Sequence, residues 1–168
     1  AVAMGRKVIA DGTSTAIGHH AVATNGGLAI GSQDNDASKD KTTASASGAV
    51  AIGKNTQSTL KGAVALGSDS TTATNATKQE SVTINGITYN FAGATSDTGM
   101  QVSVGAAGKE RQIKNVAAGE VSATSTDAIN GSQLFAIASQ IKPIQYFAVN
   151  SSVADNKDNT GATGSDSV

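Results

Sequence analysis

One short pattern constrains this chain more than any other feature. Two apolar or β-branched side chains flank an alanine, and a glycine closes the unit. It reads AVAMG at 1–5, STAIG at 14–18, GLAIG at 27–31, AVAIG at 49–53 and AVALG at 63–67. The closing glycines are Gly5, Gly18, Gly31, Gly53 and Gly67, at spacings of 13, 13, 22 and 14 residues. A period of 13–14 is too short for helix-pair repeats and suits a coil of two short strands and two turns. Strand side chains alternate faces with period two. Val2 with Met4, Thr15 with Ile17, Leu28 with Ile30, Val50 with Ile52 and Val64 with Leu66 therefore share one face, and Ala3, Ala16, Ala29, Ala51 and Ala65 share the other.

The expectation from this alternation is that the larger side chains stack as the roll core. The alanine face is then left for close approach by another copy of the chain. Composition supports a repetitive build. Residues 1–88 contain no Phe, Tyr or Trp, so a core filled by large rings is ruled out there. Weaker second strands are expected at 7–10, 21–23 and 56–58. The long spacing reads as an exposed loop over 32–47.

Past the repeats, ESVTINGITYNF at 80–91 predicts a β-hairpin turning at Asn85 and Gly86. Ile84 would face Ile87 and Val82 would face Tyr89, giving an apolar face that should pack on the roll or on a partner. QVSVG at 101–105 echoes the repeat strand. A helix is then expected, capped by Ser125 or Thr126, weakened inside by Gly131 and stopped by Pro143, with Asp127 at the positive end of its dipole. Leu134, Ile137 and Ile141 follow a three-then-four spacing, which predicts a coiled-coil seam. At about 15 residues such a helix is marginal alone and needs partners.

GKERQIKNVAAG at 108–119 followed by STDAINGSQL at 125–134 resembles the neck of the YadA-like trimeric autotransporter adhesins, and the AVAIG repeats resemble that family's head. The resemblance covers most of residues 1–141. It implies a mainly β fold: a homotrimeric left-handed parallel β-roll, interrupted by a β-hairpin insertion, then a neck leading to a short trimeric coiled-coil helix. The expected division is 1–79 for the roll, 80–103 for the hairpin and last roll strand, 104–135 for the neck, 136–145 for the helix end and connector, and 146–168 for the start of a following head segment. The chain then reads as a piece of a long fibre. In the neck, Arg111 and Asn115 are suited to tie extended backbones together, because few regular ladders are available there. Asp127, Asn130 and Gln133 could cap the helix or bind across a trimer axis.

Catalytic chemistry is hard to find. No cysteine is present, which excludes disulfides, thiolate metal sites and a cysteine nucleophile. His19 and His20 are adjacent, and adjacent residues rarely face one metal ion together. Glu110 and Arg111 read as a structural ion pair, within one chain or between subunits, rather than an acid–base pair. GATG and GAAG lack the strand–helix setting of a phosphate loop. Net charge is −1, and basic residues are scattered without aromatic interleaving, so neither nucleic acid nor membrane contact is expected. No cofactor, metal site or enzymatic activity is expected. A solenoid enzyme would need an acidic or histidine cluster at a cleft. An ice-binding array would need threonines in one register, which Thr13, Thr15, Thr24, Thr56 and Thr59 do not share.

The resulting expectation is a segment of a bacterial cell-surface adhesin, anchored in the outer membrane through a region outside this chain. Its partners would be two further copies of itself, together with extracellular matrix proteins or the host cell surface. The alternative is a spacer that binds nothing.

Overall fold

The computed structural model describes residues 1–33, 41–95, 97 and 99–141. They divide into two compact units, 1–115 with 121–127, and 116–120 with the residues from 128 onward. Pro143 and the expected following head segment at 146–168 lie outside the described residues.

In the first unit the chain alternates between two parallel ladders. One contains β1 (Val2–Met4), β3 (Thr15–Ile17), β5 (Leu28–Ile30), β7 (Val50–Ile52), β9 (Val64–Leu66) and β12 (Val102–Ser103), in that spatial order. The other contains β2 (Ile9–Ala10), β4 (Val22–Ala23), β6 (Thr43–Ala44) and β8 (Gln57–Ser58). Register is kept across coils: Ala16 pairs with Ala29, Ala29 with Ala51 and Ala51 with Ala65, while Ile17, Ile30, Ile52 and Leu66 form a parallel column. The loop expected over 32–47 is narrower than its sequence suggests. Thr42 is fully buried and β6 restores the second ladder inside that span.

The facing of the strands corrects the sequence expectation. Ala16, Ala29, Ala51 and Ala65 are fully buried, together with Ala21, Ala23, Ala44, Ala49 and Ala63. The residues assigned to the roll core point the other way. Val2, Met4, Ile30 and Leu66 are exposed, and Ile17, Leu28, Val50, Ile52 and Val64 are only partly covered. The reason is room. Two ladders only a few residues wide enclose space for methyl groups and small hydroxyls, and a branched four-carbon side chain would force them apart.

Hydroxyls complete this interior. Thr42, Thr56 and Thr72 are its largest fully buried side chains. Thr42 donates to the Gly53 carbonyl at 2.7 Å and Thr56 to the Gly67 carbonyl at 2.8 Å. Buried polar groups are tolerated when they are bonded in this way.

The repeat glycines have a steric cause. A Cβ on Gly18 would lie 1.7 Å from the Gly31 oxygen, and one on Gly31 would lie 2.0 Å from the Gly53 oxygen. Successive turns stack backbone on backbone, and Gly18 also holds φ +128°, a region L side chains rarely adopt.

The hairpin pairs β10 (Ser81–Ile84) with β11 (Ile87–Asn90), with Val82 opposite Tyr89 and Ile84 opposite Ile87. Asn85 and Gly86 hold φ of 50° and 79°, as a type I′ turn requires. All four apolar side chains are exposed. The expected packing of this face on the roll is therefore absent within the described residues.

In the second unit, α1 (Gly131–Ala138) is eight residues long and buries none of them. It is shorter than the expected helix and starts later. Its N-cap is Asn130, not Ser125 or Thr126, and Gly131 is the first helical residue, where it breaks no interior turn. Asp127 precedes the cap, and its N–H is taken by the Ser125 hydroxyl at 3.1 Å.

Candidate interaction surface

Three exposed apolar features are candidates for assembly. The first is the outer face of the six-stranded ladder. Its aliphatic column is continuous because the register is parallel and unshifted across the coils. The second is the hairpin face of Val82, Ile84, Ile87 and Tyr89. A two-stranded hairpin is marginal at best in water without something covering it. The third is the helix. Leu134 and Ile137 are 64% and 55% exposed, and Ile141, three residues past the helix end, is 76% exposed.

The second unit is organised by two amides. The Gln133 side chain accepts from the Gly119 N–H at 3.0 Å and donates to the Gly119 carbonyl at 2.6 Å. It thus bonds an extended residue much as a neighbouring strand would. The same oxygen accepts from the Asn130 N–H at 3.2 Å, which is half of a capping box. Asn130 accepts from the N–H groups of Ser132 and Gln133 and donates to the Val116 carbonyl at 3.1 Å. One cap therefore closes the helix and holds the 116–120 segment beside it. The Asn-x-x-Gln spacing signals such a box in sequence, but the preceding Ser125 and Thr126 compete with it for the role.

In the first unit, Arg111 and Glu110 do not pair with each other within one chain. Glu110 accepts from the Gly108 N–H at 2.9 Å, and backbone N–H donors, its own first, hold its carboxyl below the usual carboxylate value. Arg111 donates to the carbonyls of Ser68 and Val104, both at 2.6 Å, and to the Ser70 hydroxyl at 3.1 Å. Asn115 acts through its backbone. It is exposed with φ 60°, a left-handed turn that asparagine tolerates, and its side chain makes no tie among the described residues. Lys109 pairs with Asp69 at 3.2 Å. Hydrogen bonds from Lys109 and then Asn55 hold the Asp69 carboxyl below its ordinary value.

The two histidines stack with ring centroids 4.2 Å apart. Arg6 Nε donates to His19 Nε2 at 3.2 Å, and His20 Nδ1 lies 2.5 Å from Gln33 Oε1. Partial burial, then the His20 ring and the Arg6 guanidinium, lower the His19 pKa from 6.5. No group of three or more His, Cys, Asp or Glu residues that could hold a metal occurs among the described residues. A groove of about 420 Å³, lined in part by Thr71, Gln101, Ser103 and Arg111, lies open beside β12. No helix among the described residues is long and apolar enough to cross a membrane.

Comparison with known proteins places these features in context. Residues 112–143 match the family described as the coiled stalk of trimeric autotransporter adhesin. The autotransporter adhesin BtaE of Brucella suis is 45% identical over 114 residues, which is 67% of this chain and 14% of that protein. The chain therefore spans a small part of the length of the curated relative it matches. Among solved structures, the collagen-binding domain of the Yersinia adhesin YadA is similar with a TM-score of 0.53 at 24% identity, over 83% of this chain and 67% of that one. The C-terminal YadA-like domain of a Burkholderia pseudomallei protein aligns with a TM-score of 0.43 at 33% identity, over 80% of this chain and 44% of that one.

Proposed function

We propose, from the premise that this chain belongs to the YadA-like trimeric autotransporter adhesins, that it is a head-and-neck segment working as a parallel homotrimer on the bacterial surface. In this reading the coils form a left-handed parallel β-roll and residues 104–135 form the neck. The carrying observation is the distribution of apolar surface. The interior of the coils is complete with alanine and threonine, yet in one chain an unbroken aliphatic column is only partly covered and the hairpin face and helix seam are exposed. Parallel association of identical copies would cover all three by the same operation.

The function of such a trimer is adhesion to extracellular matrix or to host cells. Three identical faces on one rod make weak contacts multivalent, so avidity exceeds the affinity of any one face. The Yersinia neighbour, which shares the fold, is a collagen-binding domain, and collagen is accordingly the first ligand to test. A spacer role is the second reading, favoured by the openness of the groove beside β12. Multi-angle light scattering should return the mass of a trimer. Surface binding of that trimer to collagen, fibronectin and laminin then separates the readings. Saturable binding to one of them supports adhesion, and a stable trimer that binds none assigns the segment to spacing.

A further inference from the structure

We infer that Arg111 terminates the coil stack by donating a hydrogen bond that the backbone of a further coil would otherwise donate. A repeated bond in the coils defines the place it takes. The residue after each repeat glycine offers its carbonyl to an N–H of the next coil. Arg6 accepts from His20 at 2.9 Å, His19 from Gln33 at 3.0 Å, Ser32 from Asn55 at 3.0 Å and Lys54 from Asp69 at 2.8 Å. Ser68 is the next carbonyl in this series, and its donor is the Arg111 guanidinium at 2.6 Å.

The chain does begin a further coil. β12 pairs Val102 with Val64 and Ser103 with Ala65, so continuing that register would set Gly105 beside Gly67. Instead the chain departs at Val104, whose carbonyl also receives the guanidinium. Sterics give a second, independent sign. In the earlier coils, a Cβ on the repeat glycine would strike the backbone of the next repeat glycine. On Gly67 it would meet the Arg111 guanidinium carbon at 3.2 Å. The remaining acceptor at this end, the Leu66 carbonyl, equivalent to those that take the N–H of the next glycine, is bonded by the Ser70 hydroxyl at 2.8 Å. Arg111 in turn donates to that hydroxyl. A planar fork with several donors can serve Ser68, Val104 and Ser70 together, and a lysine ammonium lacks that geometry. The last coil is thereby closed by a side chain from 43 residues further along, and the Ser68 carbonyl, which an added chain could otherwise engage, is occupied.

Native-state hydrogen exchange on the full chain tests this. In Arg111→Ala the amides of Gly67 and Asp69 should exchange about tenfold faster or more, while those of Gly18 and Gly31 keep their protection. Arg111→Lys should show the same pattern with smaller amplitude, and it provides the readout if the alanine variant does not fold. Unchanged exchange at Gly67 and Asp69, or an increase of equal size in every coil, would overturn the assignment.

Discussion

The coils and the helix treat apolar side chains in opposite ways. In the coils every fully buried apolar residue is an alanine, and stability comes from backbone ladders, close stacking and bonded hydroxyls within one chain. In α1 no residue is buried, and its seam faces outward. A coil can therefore be complete before any partner arrives, while an eight-residue helix has little stability of its own. In the proposed trimer, repetition and association would solve the same shortage of core in two ways. Damage should accordingly differ: changes inside the coils act on folding, and changes on the outward faces act on assembly.

The largest effect should follow from breaking the stack itself. Gly18→Ala drives a methyl group into the Gly31 carbonyl and imposes a disfavoured φ. More than about 4 kcal/mol should be lost, because neither backbone can yield without opening the ladder. Circular dichroism should show loss of strand signal, whatever the protein concentration. A folded variant with unchanged melting would mean that the coils are not stacked this closely.

Next comes the helix. Leu134→Asp would place three carboxylates near one axis in the proposed trimer. It should cost on the order of 3–5 kcal/mol per chain in association, since each charge would be buried without a partner. Sedimentation at equal concentration should show dissociation, whereas Lys61→Gln, on the exposed coil surface, stays trimeric. Persistence of the trimer in Leu134→Asp would remove the helix from the assembly.

Two neighbouring substitutions then compare the two faces of one strand. Ala29→Leu overfills the sealed interior and should cost about 1–3 kcal/mol or somewhat more, at any oligomeric state. Ile30→Ala removes a side chain that is 37% exposed in one chain. Its cost should approach about 2–5 kcal/mol only if a partner covers that face. Thermal melts over a range of concentrations distinguish them: the first variant should melt early at every concentration, and the second should lose its deficit when the trimer is diluted to monomer. Equal, concentration-independent losses would refute the division between inward and outward faces.

These comparisons follow what was and was not legible in the sequence. Strand positions could be read because the glycine period and the apolar alternation repeat, so five weak signals reinforce each other. The direction of facing could not be read from hydrophobicity alone. Larger apolar residues usually turn inward, but here the width of a coil decides, and that is a property of two ladders together. β6 hides in a polar stretch because the inward side chains there are Thr42, just before the strand, and Ala44. The cap at Asn130 was recognisable as a motif but had nearby rivals. The acceptors of Arg111 depend on where β12 leaves its ladder, which no local pattern announces.

The smallest effect concerns pH, and it distinguishes the two ends of the coil region. His19 has a lowered pKa, first through burial and then through His20 and Arg6. The neutral ring is thus favoured in the folded chain. On acidification below 6.5 the unfolded chain takes up its proton first, so folding stability is complete above that value and declines as pH falls through the lower folded pKa. Asp69, at the opposite end, is also lowered, from 3.8, by hydrogen bonds from Lys109 and then Asn55. Its contribution holds above 3.8 and is lost only in more acidic solution. The two ends should therefore loosen in separate windows. Hydrogen exchange should accelerate at Gly18 and His20 as pH falls below 6.5, while Gly67 and Asp69, after correction for intrinsic exchange rates, remain protected until the carboxylate window. His19→Gln, which keeps a polar side chain but cannot take a proton, should remove the first step alone. If that variant leaves the step in place, the acid sensitivity of the early coils does not originate at His19. If Gly67 opens in the same window as Gly18, the coils respond to acid as one cooperative block and the two ends cannot be set apart by pH.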